Sequence, residues 1–192
     1  MPLILETIKI ENAEVFNLDY HQKRFDQTRR DLFHTNNRID LSSLINIPSN
    51  GLYRCRVVYD SHIQSITYIP YQPKSIQKLK VISSDISYAY KYADREFFNT
   101  LLKHYQYYDE IIIEKAGYIT DCTIANLAFY NGERWLTPET PLLKGTMREK
   151  LLDENFLLPA AIKKEDLPHY SHVALMNAMI GFKVLNNPTL SI

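Results

Sequence analysis

The stretch Glu110-Ile111-Ile112-Ile113-Glu114-Lys115-Ala116-Gly117-Tyr118-Ile119-Thr120-Asp121 most constrains what this chain can fold into. Three isoleucines in a row are too apolar for a surface strand and read as the inside of a sheet. Ala116-Gly117 supplies a turn, because glycine accepts a positive φ. The chain then runs back as far as Phe129 with one acid, Asp121. A lone carboxylate in a buried, uncharged stretch needs a partner. Further on, Gly145-Thr146-Met147-Arg148 stands where a helix begins. Backbone N–H groups at such a start can hold a phosphate. Together the two features point to a phosphorylated ligand with a protonated ring nitrogen.

A length of 192 residues allows one sizeable core or two small ones. The content, 45% hydrophobic and 23% charged, is that of an ordinary water-soluble globular protein. A formal net charge of zero favours neither nucleic acid nor an anionic membrane as partner. No apolar run approaches the roughly 20 residues of a membrane span. The start, MPLILETIKI, has no basic segment and meets Glu6 early, so no signal peptide is expected. Cys55 and Cys122 make no disulfide framework; reduced thiols and a cytoplasmic location are expected. His169 and His172 have no further ligand cluster near them and read as a surface pair, so no metal is expected. The 14 tyrosines suit a site lined by amphipathic rings.

In chain order, residues 3–10 alternate as a strand and residues 15–18 form a short second one. Asp19 with Gln22 predicts a capping box, and a helix should run to Phe33. Arg24, Arg29 and Arg30 read by themselves as a solvated basic face. A short helix is predicted at 41–47, then a hairpin of strands at 52–59 and 63–71. Pro70, Pro73 and Lys74 mark a linker, so residues 1–73 should be an N-terminal α/β lobe and 74–192 a C-terminal lobe. In the second lobe, 78–84 is a strand, and a helix after Arg95 should turn Phe97, Phe98, Leu101, Leu102 and Tyr105 inward. Residues from Asn155 and from Leu167 to His172 read as irregular, and 173–181 as a buried strand ending in a turn.

The spacing Gly117-Tyr118-Ile119-Thr120-Asp121, Asn126-Leu127, Thr137-Pro138 and Leu143-Lys144-Gly145-Thr146-Met147-Arg148 resembles the signature of the fold-type IV (class IV) pyridoxal-phosphate enzymes. His21-Gln22-Lys23-Arg24, Lys91-Tyr92-Ala93-Asp94-Arg95 and Asn177-Ala178-Met179 extend the resemblance over nearly the whole chain. It implies a two-lobed α/β (α+β) architecture like that of D-amino-acid aminotransferase, with a shortened N-terminus, and a homodimer. It also implies pyridoxal 5'-phosphate as cofactor, carried on Lys91. Tyr88, Tyr90 and Tyr92 flank Lys91, and aromatic walls disfavour an ammonium; the plain alternative is a lysine lying over tyrosines.

The resemblance further implies that Asp121 pairs with the ring nitrogen, although most members carry the longer Glu there. Asn126 would support the loop around it. Arg24, Gly145, Thr146 and Met147 would hold the phosphate, with Asn177 and Ala178 as further cofactor contacts or simply core. Arg54, Arg56, Lys74, Tyr92 and Arg95 are candidates for the substrate, Arg95 equally for a structural ion pair. The Asn-Ala-Met segment and the Lys-x-x-Asp-Arg stretch lean toward the aminodeoxychorismate lyase branch, which makes 4-aminobenzoate and pyruvate. The alternatives are a branched-chain or D-amino-acid transaminase, and a scaffold that has lost catalysis.

Overall fold

The alternation at the start of the chain becomes strand β1 (Ile4–Glu11). After β2 (Glu14–Val15) comes helix α1 (Leu18–Phe33), then β3 (Leu52–Tyr59) and β4 (Ile63–Pro70). These strands form an antiparallel sheet in the order β2-β1-β3-β4. The computed structural model describes all of residues 1–192. It divides into two units: Met1–Pro73 with Tyr90–Asp94, and Lys74–Ala89 with Arg95–Ile192.

In the first unit, Ile4, Ile8 and Ile10 of β1 and Cys55, Val57 and Tyr59 of β3 pack with Phe25 and Phe33 of α1. The period of two along each strand meets the period of 3.6 along the helix on one buried face. The capping box does not form. Asn17 caps α1 in the left-handed region at φ 54° without a side-chain bond, so the helix begins one residue before Asp19. Gln22 instead donates to the Ile39 carbonyl and accepts from the Leu41 amide. The helix expected at 41–47 shrinks to a single 3-10 turn, Leu41–Ser43.

The lysine-bearing segment departs from the two-lobe expectation. Leu5 N–H donates to the Lys91 carbonyl at 2.8 Å, Ala93 N–H to the Leu3 carbonyl at 2.8 Å, and Ile4 pairs with Tyr92. Residues 91–93 thus add an edge to β1, and backbone pairing of this kind overrides position in the chain. Lys91 belongs with the first unit.

The second unit is built on a sheet of β5 (Lys78–Ser83), β6 (Glu110–Lys115), β7 (Tyr118–Cys122), β8 (Asn126–Tyr130), β9 (Trp135–Pro138) and β10 (Leu157–Ala160). Strands β11 (His172–Asn177), β12 (Gly181–Val184) and β13 (Thr189–Ser191) complete it. β5 and β6 are parallel, joined through helix α2 (Glu96–His104). β10 occupies part of the stretch read as irregular; it pairs in parallel with β9, a contact with no local signal. Residues Lys164–His169 form a 3-10 helix, not a loop. α2 buries Phe98, while Phe97 stays 42% exposed, so the inward face is narrower than its apolar content implied. Helix α3 (Thr146–Asp153) packs Leu151 on Ala128, Leu157, Ala174 and Met176.

Arg29 is not on a solvated face. It is 1% exposed, donates to the Asn37 carbonyl (2.7 Å), the Asn37 side chain (2.8 Å) and the Ser61 carbonyl (2.9 Å), and lies over the Phe25 ring. It ties the loop after α1 and the β3–β4 turn to the helix. Arg29→Ala should cost about 3 kcal/mol in urea unfolding, because buried carbonyls lose charged donors. Arg30→Ala, at an exposed position, should cost less than about 0.5 kcal/mol.

Candidate active site

The hairpin of β7 and β8 fixes the centre of the second unit. Cys122 N–H bonds the Ala125 carbonyl, and this tight turn sets Asp121 directly opposite Asn126. Asn126 Nδ2 donates to Asp121 Oδ1 at 2.7 Å and to the Leu143 carbonyl at 2.8 Å. Leu143 N–H donates to Asp121 Oδ2 at 2.8 Å. Gly145 closes the arrangement: a Cβ there would lie 2.0 Å from Asn126 Oδ1, so any larger residue would expel the amide. α3 starts immediately after, with Thr146 buried and Met147 half-buried.

Asp121 is 5% exposed and has no ion-pair partner within 4.0 Å. Burial pushes its carboxyl up to about 7, against the opposing pull of the Leu143 amide, Asn126 and the Arg148 charge. Arg148 closes the Leu-x-Gly-x-x-Arg motif, and the motif alone assigns it no role. It is buried, donates to the Pro138 carbonyl at 2.9 Å and pairs with Glu149.

The turn between Asp121 and Asn126 is clamped from outside. Buried Glu110 accepts from the Thr123 hydroxyl and amide, and burial raises its pKa. Arg95 donates to the Thr123 carbonyl at 2.7 Å and stacks over Phe98. Asn177 Nδ2 reaches the Ile124 carbonyl at 3.1 Å, and its Oδ1 accepts from the Met179 and Ile180 amides. Arg95 thus clamps this turn, and its partner is a carbonyl rather than the acid of an ion pair. Asn177 acts on the same turn, with Ala178 half-buried at the β11–β12 turn beside it. Glu110 was missed because an acid at the start of an apolar run reads as a solvated strand end.

In the first unit, Glu6 is fully buried. It accepts from Arg24 Nε (2.8 Å) and Nη2 (2.6 Å) and is bonded to His21 Nδ1 (2.6 Å). Burial alone would raise its pKa; the Arg24 charge and the two partners' bonds outweigh that and hold it at about 2. Burial lowers the pKa of His21, opposed by Glu6 and aided by the charges of Arg24 and Lys91. Arg24 is thus aimed by a buried carboxylate. Tyr92 packs on the α1-side core and edge-on to Tyr90, at 6.2 Å between centroids. Arg54 and Arg56 alternate with buried Cys55 and Val57, on the opposite face of the sheet.

A hairpin carboxylate locked in place beside a helix start, in this arrangement of strands, is the fold-type IV architecture of pyridoxal-phosphate enzymes. The chain belongs to the family of amino-transferases of class IV, whose model matches residues 3–184. An uncharacterized protein of Haemophilus influenzae is 40% identical over 184 residues, which are 93% of this chain and 98% of that one. A crystal structure from Haemophilus somnus 129PT, named "putative 4-amino-4-deoxychorismate lyase", is 36% identical with a TM-score of 0.87, covering 94% of this chain and 98% of that one. A hypothetical aminotransferase of Mycobacterium tuberculosis, solved with α-ketoglutarate and PMP, shares the fold at a TM-score of 0.84 and 14% identity, over 98% of this chain and 81% of its own.

The residues present fit the cofactor of this class. Asp121 is a buried acid with no cation of its own, which suits a protonated ring nitrogen. The eight-residue helix α3 offers its N-terminal end behind a glycine.

The raised pKa of Asp121 makes a signed prediction for the protein without cofactor. Its folded value lies above the ordinary one, so its contribution is fully present below about 4 and is lost as pH rises through about 7. Unfolding free energies of wild type relative to Asp121→Asn should therefore fall across that window. Gly145→Ala should displace Asn126 and lower retention of pyridoxal phosphate at least about tenfold, read by absorbance after gel filtration.

Proposed function

We propose that the protein is a pyridoxal-phosphate-dependent lyase that converts 4-amino-4-deoxychorismate to 4-aminobenzoate and pyruvate. The observation that carries the enzyme reading is Asp121, a buried carboxyl without a counter-ion, held by Asn126 and Leu143. The name of the 36%-identical Haemophilus somnus protein supports this choice of reaction.

The bound cofactor supplies an electron sink for the carbon that bears the amine. Asp121 keeps the ring nitrogen protonated, which makes that sink effective. Arg24, oriented by Glu6 and His21, and the first-turn amides of α3 at Thr146 and Met147 take the phosphate charge. Lys91 carries the cofactor at rest. As a free amine it takes the proton from the amino-bearing ring carbon. The bond from the ring to the enolpyruvyl oxygen then breaks, the ring becomes aromatic, and the proton passes to the departing methylene, giving pyruvate. Atoms balance with no co-substrate.

The family's description as amino-transferases favours transamination as the second reading. Aminodeoxychorismate offered to the purified protein without any keto acid should give pyruvate and 4-aminobenzoate in equal amounts. Product only with a keto-acid acceptor would establish the transaminase instead. Lys91→Ala should lower turnover at least about 1000-fold, and borohydride should fix the cofactor on the wild-type peptide containing Lys91 and nowhere in the variant. A protein that takes up no cofactor would be a scaffold.

A further inference from the structure

Arg148 stands where a cation is costly. It is the third residue of α3, in the first turn, and it is 4% exposed. Amides at a helix start carry partial positive charge, so a cation in that turn is disfavoured. Burial adds the loss of hydration. The side chain recovers little of this. Nη2 donates to the Pro138 carbonyl at 2.9 Å, at the end of β9. Nη1 meets Glu149 at 2.9 Å, but the Glu149 side chain is 35% exposed and remains partly hydrated. Nε is buried and has no acceptor.

A guanidinium nitrogen without an acceptor, taken out of water, is destabilising. Replacing a buried ion by an apolar residue of similar volume is often neutral or stabilising. Packing alone therefore explains the volume of this side chain and not its charge. The charge does have something to act on. It already pulls the Asp121 carboxyl down against burial. The two residues before it in α3 are Thr146 and Met147. A phosphate on their amides would bring a dianion to the turn that carries Arg148. Burial leaves little water to screen the attraction between such charges.

Resting on the reading that the first turn of α3 receives the cofactor phosphate, we propose that the buried charge of Arg148 is an internal counter-charge for that phosphate. It acts through space from within the helix turn, and the Pro138 carbonyl fixes where the guanidinium stands. Glu149, in the same turn, takes part of that charge. The group favoured is a phosphomonoester dianion over the free alcohol that lacks it.

The test is equilibrium dialysis of the cofactor-free protein against pyridoxal phosphate and against pyridoxal, which lacks only the phosphoryl group. Arg148→Gln keeps a donor for Pro138 and removes the charge. Arg148→Lys keeps the charge and loses the planar fork. Arg148→Gln should weaken pyridoxal phosphate about tenfold and leave pyridoxal within about twofold. Arg148→Met, with neither donor nor charge, should match it. Arg148→Lys should stay within about threefold of wild type for both ligands. Unchanged affinity in Arg148→Gln overturns the proposal. So does weakening of both ligands alike, or an Arg148→Lys variant as weak as Arg148→Gln or Arg148→Met, since each marks a structural role. A wild-type protein with no preference for the phosphorylated form overturns instead the phosphate reading on which the proposal rests.

Discussion

A carboxyl group removed from water with no cation beside it governs the geometry of the second unit. Asp121 cannot be left with bare oxygens, so each finds a donor: the Asn126 amide and the Leu143 backbone. Asn126 then needs room for its own oxygen, and only a residue without Cβ leaves it at position 145. The glycine in turn places Thr146 as the first residue of α3. The loop between β9 and α3 is therefore shaped from the hairpin outward. Arg95, Glu110 and Asn177 brace that hairpin from the other side.

Three of the four buried acids in this chain show how surroundings, not burial alone, decide protonation. Glu6 is the most completely buried, yet Arg24 and His21 hold it at about 2. Asp121 is surrounded by neutral donors, with Arg148 acting only through space, and rises to about 7. Glu110 meets a hydroxyl and amides, and its pKa is also raised. Glu6 is thus a permanent anion that fixes the direction of an arginine. Asp121 is poised to ionise when a cation arrives. That division suits one acid to architecture and the other to ligand chemistry.

Much of the site was legible because its signals are local. The hairpin, the Asp121–Asn126 spacing and the glycine before α3 lie within 40 residues and depend on turn chemistry. What escaped the sequence is non-local. Nothing in residues 157–160 announces a parallel partner in β9, and nothing in 90–94 announces an edge position on β1. Arg29 reads as part of a solvated basic face, but loop carbonyls reach it and it is buried, as His21 is against Glu6. Arg95 followed the motif in position while its guanidinium went to a backbone carbonyl.

The first sheet carries the same lesson in its strand pattern. Along β3, Cys55, Val57 and Tyr59 alternate with Arg54, Arg56 and Val58, which by periodicity reads as core inside and water outside. Water outside would let each arginine hydrate or find an acid. The half-buried Arg54 keeps its Nε buried and without a partner, with Cζ 6.0 Å from the centre of the Tyr71 ring. Alternation identifies which face is not core; only the charge balance on that face separates a surface meant for solvent from one meant for an anion.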